Sequence, residues 1–152
     1  MPAGSPIKTL ADVDRPGIRI AVSARSAYDL WLTRNIKHAE LVRADGIDGS
    51  YDLFVNQKLE VLSGLRTRLM DDAEKLPGSR VLEGKFTAVQ QAIGTMRSNE
   101  AATVFLRDFV EEAKASGLVA HLIERHKVRG LSVAGPADAE APHSQLQAAP
   151  ST

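Results

Sequence analysis

The sequence predicts an α/β fold with a mainly parallel sheet, and three observations lead to that class. Short apolar segments alternate with amphipathic segments of about ten residues, as in βαβ units. Glycine, proline and aspartate residues separate these segments where turns are needed. The 152 residues are 43% hydrophobic and 25% charged, which suits one ordinary domain with a hydrophobic core.

The predicted elements follow the order βαβαβαββαα. Segments rich in Ile, Val and Leu are predicted as strands, namely 18–22, 40–43, 59–62, 80–82 and 89–96. Helices are predicted where apolar residues recur every three or four positions after a capping residue. These helices cover 26–36, 49–56, 63–76, 98–115 and a last segment from 118, with Ser26, Asp48 or Ser50, Ser63, and Ser98 or Asn99 as caps.

Composition and charge exclude several classes of protein. Nineteen basic and nineteen acidic residues cancel, so bulk charge gives no support to a nucleic-acid binder. The absence of cysteine removes disulfide scaffolds, thiol catalysis and cysteine-based zinc sites. Residues 1–6 lack the features of a signal peptide, and no apolar run is long enough to span a membrane. We therefore expect no nucleic-acid partner and no membrane insertion.

No catalytic motif is present, so we expect a protein that is not an enzyme. The sequence contains neither a G-x-S-x-G elbow nor a G-x-G-x-x-G fingerprint. His121 and His126 are five residues apart on a predicted helix and cannot bind one metal ion from the same face. We accordingly predict no catalytic residue, no metal ligand and no cofactor.

One loop offers binding chemistry. The first strand leads through Ser23 and Ala24 into Arg25 and the helix that begins at Ser26. In open parallel sheets ligands bind beyond the carboxyl ends of the strands, where helix N-termini present free N–H groups. The Ser26 hydroxyl and the Arg25 guanidinium would suit a carboxylate. The alternative is that Ser26 only caps its helix and that Arg25 is only a surface charge.

Around these residues the chain resembles bacterial extracellular solute-binding proteins of the amino-acid type, family 3, which serve ABC importers. The matching segments occur in the family's order: Thr9–Val13, Gly17–Val22, Ser26–Leu30, Phe54–Gly64, Leu76–Leu82 and Phe109–Ala134. The resemblance implies a lobe of the periplasmic-binding-protein type II kind. It divides the chain into a lead-in (1–17), a second lobe (18–90), and a return crossing with two C-terminal helices of the first lobe (91–134). Composition predicts a disordered tail at 135–152.

The resemblance also implies what the chain does and where. We expect part of a periplasmic solute-binding protein that captures a small polar solute, amino-acid-like or an organic anion, for an ABC transporter permease. The C-terminal helices would lack their usual packing partners, so we expect self-association through Phe105, Leu106, Phe109, Leu122 and Ile123. Two alternatives stay open on the same fold: an effector-sensing domain of a regulator, and a dehydratase-like enzyme with Glu60 as acid or base.

The ligand-binding residues that the resemblance implies are Arg25, Ser26, Ala27 and Glu60. Ala27 would contribute its backbone N–H. Many relatives place an aspartate for the ammonium group of the ligand where this chain has Leu65. A buried ammonium without a charged partner is costly, so we expect a solute held through an anionic or hydroxylated group.

Overall fold

A three-stranded parallel sheet forms the centre of the protein. The computed structural model describes residues 1–137, and in it β1 (Arg19–Ser23) lies between β2 (Glu40–Ala44) and β3 (Val61–Leu62). Both pairings are parallel. Ile20 lies opposite Leu41 of β2 and opposite Val61 of β3. The predicted α/β class with a parallel sheet is therefore confirmed.

Five α-helices and one short 3-10 turn complete the described part of the chain. Their bounds are Leu10–Asp12 for the 3-10 turn, then α1 Ala27–Asn35, α2 Gly46–Asn56, α3 Arg66–Lys75, α4 Glu100–Ala115 and α5 Leu118–Arg125. None of these helices is long and apolar enough to cross a membrane.

The central strand contributes to a hydrophobic core on each face of the sheet. Successive side chains of a strand point to opposite faces. Ile20 and Val22 pack in one cluster with Leu32 of α1, whereas Ala21 packs in another with Phe54 of α2. Helices α1 and α2 therefore cover opposite faces, as right-handed crossovers to β2 and β3 require.

Helix α3 lies beside α2. A guanidinium nitrogen of Arg68 is 2.6 Å from a carboxylate oxygen of Asp48, in the first turn of α2. The Lys75 ammonium lies 5.6 Å from the centroid of the Tyr51 ring. Leu65, directly before α3, packs in the cluster on the α1 face, whereas Leu76, at the end of α3, packs in the cluster on the α2 face.

Two predicted strands, 80–82 and 89–96, are wrong, because neither segment is a strand in the structure. A strand needs a neighbour for its backbone hydrogen bonds. Residues 89–96 are exposed along their length. In the first segment, Arg80 exchanges backbone hydrogen bonds only with Met1, and the half-buried Leu82 packs against the sheet core from a loop.

Two helix starts also differ from the prediction. Helix α2 begins at Gly46, with Asp45 rather than Asp48 or Ser50 at the N-cap. Helix α3 begins after Leu65, so Ser63 is not its cap. The Ser63 N–H donates to the Ala21 carbonyl at 3.0 Å, so the backbone of Ser63 pairs with β1 directly after β3.

The described chain forms two compact units. Met1–Ala92 and His126–Leu131 make the first, which contains the sheet; Ile93–Arg125 and the described residues from Ser132 onward make the second, which contains α4 and α5. Asn99 caps α4 by accepting the N–H of Ala102, as one of the two predicted caps. Most of the predicted disordered tail, 138–152, lies outside the described residues.

Candidate functional site

The strand order defines a candidate ligand-binding position between β1 and β3. In the order β2-β1-β3 the strands β1 and β3 are neighbours. Strand β1 leads into α1 on one face of the sheet, and β3 leads into α3, which lies beside α2. Open α/β sheets bind ligands in the crevice beyond the carboxyl ends of the strands at such a point. We call this place the switch-point crevice and define it by the loops 23–27 and 63–66.

On the β1 side, Ser26 closes the loop as the N-cap of α1. Its hydroxyl donates to the Ser23 carbonyl at 2.7 Å and accepts the N–H of Asp29 at 3.1 Å. The capping prediction is therefore confirmed. Because the hydroxyl proton is already donated within the loop, Ser26 offers a ligand only its remaining lone pair.

A buried carboxylate stabilises the same loop. Asp29 is 4% exposed, and one of its oxygens, Oδ2, accepts the backbone N–H of Arg25 at 2.8 Å. Its other oxygen, Oδ1, accepts from Nε of Arg43 at 3.0 Å, while Arg43 also donates to the hydroxyl of Thr33 at 2.7 Å. The Asp29 carboxylate thus lies in the first turn of α1 and is already paired with Arg43.

Two further hydrogen-bond donors lie on the β1 side, and the loop does not use them as it uses the Ser26 hydroxyl. Arg25 has a φ of 61°, which is uncommon for a residue other than glycine, and its side chain is exposed. Ala27 is the first residue of α1, where a backbone N–H has no acceptor within the helix. The structure therefore places the predicted Arg25, Ser26 and Ala27 together in one loop.

The β3 side contributes a residue that sequence reasoning assigned to helix capping. Ser63 is 6% exposed, and its hydroxyl oxygen is buried without a hydrogen-bond partner among the described residues. An unpaired buried hydroxyl destabilises a fold by about 1–3 kcal/mol. The signal in the sequence was a serine followed by a glycine directly after an apolar strand, Val61–Leu62.

Glu60 is separated from the other predicted ligand-binding residues. It lies beside Arg19 at the amino end of the strands, roughly 13 Å of β-strand away from Ser23. Its carboxylate accepts from Nε and a terminal nitrogen of Arg19 at 3.0 and 2.8 Å. These bonds hold the pKa of Glu60 below its ordinary value. One crevice cannot include both Glu60 and Ser26.

The described residues offer little to a metal ion. Within 1–137, no three His, Asp or Glu side chains gather in a way that could hold one. His121 and His126 are both exposed. The polar groups of the crevice are instead hydroxyls, backbone N–H groups and the guanidinium groups of Arg25 and Arg66, which bind carboxylates, carbonyls and hydroxyls by hydrogen bonds. The Arg66 guanidinium already donates to the carbonyls of Leu82 and Gly84.

Comparisons of the chain with protein-family models, with curated proteins and with solved structures found no match.

Proposed function

We propose that the chain is a solute-binding module of an ABC import system, with the switch-point crevice as its contribution to the ligand site. The observation that carries the proposal is that the loops after the neighbouring strands β1 and β3 place polar groups at the same edge of the sheet, among them the unpaired Ser63 hydroxyl. The resemblance of the sequence to extracellular solute-binding proteins supports the import role. Delivery would be to a membrane permease.

The charges around the crevice favour a solute with a carboxylate or hydroxyl group. Arg25 is exposed, whereas the acid beside it, Asp29, is buried and paired with Arg43. On the β3 side Leu65 packs against the core cluster of Ile20 and offers no charge. A solute ammonium group would therefore find no unpaired carboxylate in either loop, and burying it there would be costly.

Titration calorimetry of the 152-residue chain tests the ligand class. The panel contains standard amino acids, organic acids and polyols. Since one crevice supplies only part of a ligand site, we expect a Kd on the order of 1 mM for an organic acid or polyol. Arg25→Met should weaken binding of the acid about tenfold by removing a charge-assisted hydrogen bond.

Arg34→Met is the matched control, because Arg34 is an exposed arginine in α1, the helix that follows the Arg25 loop. The Arg34→Met variant should bind the acid with the same affinity as the unchanged chain. Tight binding of an ordinary amino acid that is insensitive to Arg25→Met would contradict the proposed ligand class. Solute recovered unaltered after long incubation would support binding over turnover, and uptake lost on deletion of the gene would support import.

A further inference from the structure

The segment 126–131 runs along α3 and belongs to the same compact unit as the sheet. Gly130 makes the closest approach. A Cβ atom at this position would lie 2.7 Å from Cγ of Arg66 and 3.0 Å from the backbone nitrogen of Thr67, and φ is +80°. Only glycine fits both the contact and the left-handed backbone. The segment therefore covers the first turn of α3.

Surface ion pairs also connect the segment to residues further along α3. Arg129 places one terminal nitrogen 2.7 Å from a carboxylate oxygen of Glu74 and the other 3.2 Å from Asp71. The side chains of Arg129, Asp71 and Glu74 are 47%, 63% and 64% exposed, and exposed ion pairs contribute little and are screened by salt. Lys127 lies in the left-handed region at φ 51°, which disfavours the closed segment.

The first turn of α3 is also the β3 side of the switch-point crevice. Leu65, at the N-cap, makes no side-chain hydrogen bond to the helix, so the first-turn N–H groups have no cap. Two residues earlier, the Ser63 hydroxyl is buried without a partner among the described residues. These are the groups a solute would use on this side of the crevice, and Gly130 lies against the turn that carries them.

We propose that residues 126–131 are a strap that closes over the first turn of α3 and controls access to the β3 side of the crevice. The interactions that hold the closed position include the Gly130 contact and the exposed ion pairs of Arg129, and exposed ion pairs contribute little, so we expect the strap to open without unfolding the sheet. Opening exposes the backbone of the first turn of α3, including Thr67 and Arg68. That the strap controls access to the crevice rests on the proposed function, whereas the opening of the strap is independent of it.

Amide hydrogen exchange of the full chain, without any solute, tests the opening. Gly130→Ala should accelerate exchange at Thr67 and Arg68 about tenfold, because the added methyl group collides with α3. Gly17→Ala is the matched control: its φ is +85°, yet a Cβ there meets nothing within 4 Å. Arg129→Gln should accelerate the same amides at low salt and remove their dependence on salt.

Unchanged exchange at Thr67 and Arg68 in both Gly130→Ala and Arg129→Gln would overturn the strap. The same variants are then titrated with acetate and with glycerol while amide shifts are recorded. If the strap controls access, shifts at 63–67 should grow severalfold in Gly130→Ala and not in Gly17→Ala. Shifts that grow only at 23–27 would contradict control of access, whereas no shift in either loop would contradict the proposed function and leave the exchange result standing.

Discussion

The sheet and the C-terminal helices bury their apolar side chains to very different degrees. In the central strand Ile20 is 1% exposed and Val22 is fully buried between the sheet and α1. In α4, Phe105 is 68% and Phe109 is 48% exposed, with their rings stacked 6.3 Å apart. The sheet unit encloses its own core, whereas the amphipathic helices pack one apolar side and leave another in water.

The difference indicates where stability and association reside. Burial of apolar area is the main stabilising term in folding, so the sheet unit should provide most of the stability of the chain. Large exposed apolar patches mark interaction sites. The exposed apolar residues of these helices, Phe105 and Phe109 in α4 and Leu118 and Leu122 in α5, are therefore where we expect a second copy to bind.

The largest expected effect is on the free energy of unfolding, and it distinguishes the sheet from the C-terminal helices. Ile20→Ala should lower the free energy of unfolding by about 2–5 kcal/mol, because it leaves a cavity in the centre of the sheet. Phe105→Ala should change it by less than about 0.5 kcal/mol, since that ring is mostly in water. Urea unfolding followed by circular dichroism measures both. Equal losses would refute the contrast.

Within the sheet unit, a substitution of the buried Asp29 tests whether its carboxylate stabilises the loop 23–27. Asp29→Asn should destabilise the chain by about 1–3 kcal/mol, because Arg43 and the N–H of Arg25 lose their charged acceptor. Asp52→Asn, at an exposed position of α2, is the control and should be neutral. A loss no larger than that of the control would show that the loop does not depend on the carboxylate.

Self-association tests the helical unit. The double variant Phe105→Ser and Phe109→Ser should shift sedimentation toward monomer, with little change in the free energy of unfolding of the monomer. Val55→Ser removes an apolar residue exposed on the sheet unit and should leave the association unchanged. A chain that sediments as a monomer at every concentration would contradict the expectation.

The smallest effect is a dependence on pH through Asp14. The N–H groups of Ala39 and His38, with a smaller contribution from Lys37, donate to its carboxylate and lower its pKa. Because the pKa is lower in the folded state, the stabilisation is present above about pH 4 and is lost as the pH falls through the folded value. Stability measured between about pH 6 and pH 2 should fall less in Asp14→Asn than in the unchanged chain. An identical fall in both would contradict this role.

The sequence predicts best where local pattern and tertiary contacts agree. The segment from β1 through α1 to β2 was predicted almost to the residue, because apolar alternation, the Ser26 cap and helical spacing all favour the observed structure. The same agreement predicted α4 and α5 and restricted the cap of α4 to Ser98 or Asn99, of which the structure has Asn99. The predicted site residues Arg25, Ser26 and Ala27 lie together because they are consecutive.

Prediction failed where the outcome depends on partners distant in sequence. Residues 89–96 have strand-like composition, yet no described strand lies beside them to accept their hydrogen bonds. Ser63 has the composition of a cap, but its N–H pairs with β1. Glu60 was separated from the crevice by the register of β3 against β1 and by Arg19, neither of which a single segment can show.

Chemical-shift mapping of the full chain with the organic acid or polyol that binds best tests the central claim most directly. We predict that the amides that move are those of residues 23–27 and 63–67, at the carboxyl ends of β1 and β3. The loops at the amino ends of the strands, 37–39 and 57–60, should remain unchanged. Shifts concentrated at the amino ends, or at α4 and α5 alone, would contradict the assignment of the switch-point crevice.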